Sequence, residues 1–230
     1  MFGIQFGKSE DPAVVSYRTM RRMIGYLGMA LPVILFVWSV LITQSHFLLD
    51  SISSYYSTNM RDIFVGILCA VAFFLFTYHG YDKYDFVAFK IASLSALGVA
   101  FNPSFIKSPI NPYVHIPPNV SGLTNAVHYI SAAIFFTTLA VVSLFLFTKT
   151  GPGKNKIKAV GRKRTRNQVY RICGLVIFAC ILCMLIIGFL PDDAPFLRWD
   201  PVFWVETIAL FAFATSWLVK GELILADQTA

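Results

Sequence analysis

Residues 23–42 read MIGYLGMALPVILFVWSVLI, a run without one charged side chain. A helix that crosses a bilayer needs about 20 predominantly apolar residues, and this run meets that length. A secretory signal has a shorter apolar region, about 7–15 residues, followed by a small-residue cleavage pattern. No such pattern follows here, so the sequence predicts a retained membrane helix.

Comparable runs recur along the chain. Six spans are expected, at approximately 23–43, 62–80, 84–101, 123–148, 169–190 and 202–219. Composition agrees: 57% of the 230 residues are hydrophobic and 13% are charged, against about 25% charged in soluble domains. The expected fold is an all-α polytopic transmembrane bundle, with residues 1–230 forming one integral membrane domain. Cys69, Cys173, Cys180 and Cys183 all lie inside apolar runs. A disulfide-stapled extracellular framework is therefore not expected. Cys180 and Cys183 read as small core residues, because no His or acid accompanies them.

Charge sets the expected orientation. The N-terminal segment, residues 1–22, carries Lys8, Arg18, Arg21 and Arg22. The loop 149–168 carries Lys149, Lys154, Lys156, Lys158, Arg162, Lys163, Arg164 and Arg166, with no acid. Lys83 and Lys220 fall on the same side in a six-span order, and the opposite loops hold only Arg61, Lys107 and Arg198. Basic residues favour the cytoplasmic side, so both termini are expected there, in a membrane of bacterial inner (plasma) type. The net charge of +7 is thus a topology signal. Its secondary effect is attraction to anionic lipid. No nucleic-acid partner is expected, because no fold or aromatic platform for one accompanies the basic loop.

The polar residues gather elsewhere. DSISSYYSTNMRD, residues 50–62, joins the first two spans on the outer side. Ser51, Ser53 and Tyr55 in it are candidate binding residues, or simply a solvated loop. Asn125, His128 and Ser131 lie three apart, on one helical face at the outer start of the fourth span. Asp192 and Asp193 close the fifth span, and Glu206 lies in the first turns of the sixth. An ionisable residue in a span usually faces a bundle interior or a water cavity. Asp62 opens the second span, where an acid is favourable at a helix N-terminus. Arg61 beside it can pair with an acid or hold an anionic headgroup. Together, Asp62, His128 and Glu206 are the candidate catalytic set. Imidazole and carboxylates can also bind zinc with an open position for water, which makes zinc the possible cofactor and these three its possible ligands. No H-E-x-x-H motif or i,i+4 His pair supports that reading.

Two further segments matter. Residues 102–122, NPSFIKSPINPYVHIPPNVSG, form a Pro-rich outer loop long enough to fold over the bundle. Asn119 begins a glycosylation sequon there, and His115 is a possible addition to the outer cluster. At the inner end, Tyr78, His79, Tyr81, Asp82, Lys83, Asp85 and Lys90 form a second polar set. Lys90 is expected to snorkel toward the interface, with Asp85 as a possible partner.

Ser51-Ile52-Ser53 after the first span, followed by Phe64-Val65-Gly66 early in the second, resembles the damage-regulated autophagy modulator family and its GPI-anchor-remodelling relatives. The chain is similar also to uncharacterised bacterial six-span families. The resemblance covers the span pattern over most of the chain and specific residues at 51–66. It implies a multi-pass helical protein of about six spans. Three functions stay open: a protein whose outer polar pocket binds or remodels lipid headgroups, an accessory or structural subunit of a membrane complex, and a small transporter or channel. The expected partners are membrane lipids, a second copy of the chain, or a larger membrane complex.

Overall fold

The computed structural model describes residues 12–42, 48–106, 114–115, 120–149, 161–191 and 193–226. Its described residues form six α-helices and no strand: α1 (Pro12–Val37), α2 (Arg61–Thr77), α3 (Lys83–Phe101), α4 (Gly122–Val141), α5 (Arg162–Gly188) and α6 (Pro201–Lys220). Among the described residues, five apolar segments are long enough to cross a membrane: Ser16–Leu41, Lys83–Phe101, Gly122–Leu146, Arg162–Gly188 and Pro201–Lys220. This is consistent with an integral membrane protein.

The helix ends follow from local chemistry. The Asp82 side chain caps α3 by accepting from the backbone N–H groups of Tyr84 and Asp85. Ser121 and Thr124 form a capping box at the start of α4. α2 stops at Thr77, short of the expected residue 80. Tyr78 turns extended, and Gly80 takes φ +66, a conformation open to glycine without penalty. α1 and α5 begin earlier than expected, because the basic stretches 18–22 and 162–166 join the helix. α1 and α4 each end in a π-helical turn, Trp38–Ile42 and Val142–Leu146.

Each helix packs on its neighbours in chain order, and α6 closes the ring against α1. The α1–α6 contact is close: a Cβ at Gly25 would stand 2.7 Å from the Leu218 side chain and 3.1 Å from the Ala214 carbonyl. The half of the ring where α2 ends and α3 begins is filled by aromatic rings. Trp217 lies 5.1 Å from Phe147, 5.3 Å from Tyr78 and 5.8 Å from Phe89, centroid to centroid, in edge-to-face pairs.

The inner polar set is pinned around this core. Asp85 is buried and accepts from Lys149 at 2.5 Å and from the Tyr81 N–H at 2.7 Å. Lys149 also meets Asp82 at 2.8 Å. That partner holds the Asp82 carboxyl below its ordinary range. Burial works against the charge on Lys149, and the two carboxylates outweigh it, so its ammonium titrates above the usual lysine value. Lys90 reaches outward to the Phe76 carbonyl and lies over the Phe76 ring. Asp85 is therefore the partner of Lys149, and the snorkelling of Lys90 takes a backbone acceptor instead. His79 is exposed.

Candidate functional site

The polar stretch after α1 is not a solvated loop. Ser53–Ser57 form a 3-10 turn, and every residue from Ile52 to Thr58 is buried. The turn is a plug in the end of the helix ring where α1 stops and α2 begins. Its polar groups bond to one another and to the walls. The Ser54 N–H donates to Ser51 Oγ, and Ser54 Oγ donates to Asp50 Oδ1. The Tyr55 hydroxyl bonds to Ser39 in the π-turn of α1, and its ring meets Trp38 and Phe203 edge-on or tilted. Burial holds the Tyr55 hydroxyl above the ordinary phenol range. A buried polar run of this density is stable only when its groups are paired. Val114–His115, the described part of the Pro-rich loop between residues 107 and 119, adds to the plug: the His115 N–H donates to Ser57 O at 2.6 Å.

α6 fixes the plug from the other side. Glu206 Oε2 accepts from the Ile52 N–H at 2.6 Å, and the Phe203 N–H donates to Asp50 O at 3.1 Å. Asp200, in left-handed backbone before Pro201, is the residue preceding α6. Burial, with a contribution from Asp50, raises its carboxyl to about 6.

Asn125, His128 and Ser131 do share a face, and that face docks on the end of α3. Asn125 Oδ1 accepts from the Phe105 N–H at 2.7 Å. His128 Nδ1 meets the Asn102 carbonyl at 2.7 Å, with the Val99 carbonyl also beside the ring. A carbonyl only accepts, so Nδ1 carries the proton of this bond. Ser131 packs against Gly98, which has no side chain to displace it.

Beneath the plug lies a partly enclosed cavity of about 40 Å³. Its polar wall is Ser53 from the plug, His128 from α4 and Glu206 from α6; the rest is apolar, including Phe64, Phe135 and Phe136. The structure thus brings together His128, Glu206 and Ser53. It does not bring Asp62, which is exposed in the first turn of α2. Arg61 is also exposed and lies over the Tyr56 ring, donating to its hydroxyl at 3.1 Å. Ser51 is half-buried, Asp193 is exposed, and Asp192 lies outside the described residues. Among the described residues no group of three His, Cys, Asp or Glu side chains is placed to hold a metal ion. The residues present do not fit the zinc site that Asp62, His128 and Glu206 would have made.

The sequence reading passed over Asp50, Ser39 and Asn102 as site-forming residues. Asp50 had a visible signal, since it opens the polar stretch. Ser39 and the Asn102 carbonyl had none, because their roles depend on the neighbours the fold supplies. No family model matches this chain, and no curated protein or solved structure matches it.

Proposed function

We propose that the chain is a six-span membrane protein, with both termini cytoplasmic, whose outer-end cavity holds the terminal group of a lipid headgroup. One observation carries this reading: Ser53, His128 and Glu206, from three separate elements, converge on a cavity whose other walls are apolar. A concave apolar site with a few convergent polar groups is the usual form of a ligand pocket. The convergence is the support; no role for Asp62 is needed.

Two features support the topology. α2 has 17 residues, about 25 Å of helix at 1.5 Å per residue, close to the hydrocarbon thickness of a bilayer. Basic residues also meet at one end of the ring. Arg22 donates to the Gly221 carbonyl at 2.8 Å, and Arg18 pairs with Glu222 at 3.1 Å. The plug sits at the other end. The packed inner half, with Leu75, Phe89, Phe213 and Trp217 all buried, weighs against a polar path from the cavity to His79 and Lys90.

The test is photo-crosslinking. A short-chain phospholipid with a photoreactive group in its headgroup is incubated with the purified protein, and adducts are mapped by mass spectrometry. Adducts at residues 52–64 and beside His128, lost in Ala132→Leu, are expected, because Ala132 lines the cavity. Adducts confined to the lipid-facing surface, unchanged by Ala132→Leu, would refute the reading.

A further inference from the structure

The cavity discriminates by charge and by hydrogen-bond sense, and we propose that the group it takes is a primary ammonium. This rests on the reading of the cavity as a headgroup site and names its chemistry.

Size comes first. One water needs roughly 10–15 Å³ of such a cavity, so about 40 Å³ admits about three water-sized groups. An –NH₃⁺ group on a short carbon stem fits. A trimethylammonium, bulkier than a phosphate and with methyl groups that donate no hydrogen bond, exceeds it, and a phosphate exceeds it too.

The polar wall supplies acceptors. A primary ammonium brings three donors and no acceptor. Glu206 offers a carboxylate with one oxygen occupied by the Ile52 N–H and no further hydrogen bond among the described residues. Ser53 adds a hydroxyl, and His128 an imidazole already oriented by the Asn102 carbonyl. The aromatic rings of Phe64, Phe135 and Phe136 complete the wall, and ring faces attract cations. Among the described residues no Lys or Arg lines the cavity. An anionic group would meet Glu206 with nothing to compensate it. A neutral hydroxyl gives the buried Glu206 carboxyl no charge to pair with, whereas a cation is the partner that keeps a buried carboxylate ionised. An ammonium answers both problems with one ion pair.

This chemistry has two sources, the aminoethyl headgroup of a membrane lipid and a small free amine. The experiment separates them. The full chain is placed in nanodiscs of phosphatidylcholine, alone or with phosphatidylethanolamine or phosphatidylglycerol, and methylammonium is added to the phosphatidylcholine sample as a fourth arm. The readout is the thermal unfolding midpoint as a function of ligand fraction. The expected result is a saturable rise with phosphatidylethanolamine. Half-saturation should shift about tenfold upward in Glu206→Gln, which loses a charge-assisted hydrogen bond, and the rise should vanish in Ala132→Leu. Glu206→Gln keeps an acceptor for Ile52 and so keeps the fold; Ala132→Leu blocks the space without touching a polar group.

A rise with methylammonium but not with phosphatidylethanolamine would support the ammonium site and overturn the lipid reading beneath it. A rise with phosphatidylglycerol alone, lost in Ala132→Leu, would overturn the ammonium inference and leave the headgroup pocket standing. A rise that persists in both variants, or none in any arm, would overturn both.

Discussion

Glu206→Ala and Glu206→Gln separate the structural work of this residue from its charge. Oε2 accepts from the Ile52 N–H at 2.6 Å, at the point where the plug begins. Alanine leaves that N–H buried without a partner, since Ile52 is 3% exposed. An orphaned buried donor costs about 1–3 kcal/mol, and the enlarged cavity adds to it. Glutamine keeps an acceptor oxygen at the same reach and removes the charge from an apolar wall. In detergent without added ligand, the expected order of unfolding midpoints is wild type close to Glu206→Gln, with Glu206→Ala well below. Amide hydrogen exchange adds a local readout. Protection of Ile52 should fall by about five- to 150-fold in Glu206→Ala, the equivalent of that free energy, and stay near wild type in Glu206→Gln. If Glu206→Ala matches wild type in both assays, the bond does not hold the plug. If Glu206→Gln fails as badly as Glu206→Ala, the charge and not the acceptor is what the plug requires.

Three other outcomes follow from the same structure. The Asp200 carboxyl is raised to about 6 from an ordinary 3.8, so the folded state binds its proton more tightly than the unfolded state does; its contribution to stability falls as pH rises between about 4 and 6. Asp200→Asn, which tolerates the left-handed backbone at φ 48, should therefore be more stable than wild type at pH 7 and equal to it below about pH 4, checked by unfolding midpoints across that range. Lys149→Met leaves Asp85 buried without its ammonium and should lower stability by about 3 kcal/mol, the low end for breaking a buried pair, because the Lys149 side chain is 26% exposed, while the double variant with Asp85→Asn recovers most of the loss, measured as a double-mutant cycle. Gly25→Val places carbon against Leu218 and the Ala214 carbonyl and should lower the unfolding midpoint through a forced separation of α1 from α6, about 1–3 kcal/mol of overpacking, whereas the same change at Gly66, which has open space, should have little effect.

The sequence by itself determined the membrane-bundle character, because run length and the near absence of charge are local properties. It determined where five of the apolar helices lie, and it placed Asn125, His128 and Ser131 on one face, because a helix repeats every 3.6 residues whatever surrounds it. Tertiary structure decided the rest. Asp62 is two residues from Phe64, which is about 200° around α2, so when Phe64, Leu68, Val71 and Leu75 turn inward Asp62 must turn out. That phase is unreadable from a helix apolar on nearly every side, where no stripe marks the inner face. The fate of DSISSYYSTNMRD was equally hidden. Ser and Tyr look solvated in a linear chain, and Ser53–Ser57 are buried here only because Ser39 of α1, Glu206 and the Phe203 N–H of α6, and Asp50 within the stretch itself, supply the partners that burial demands.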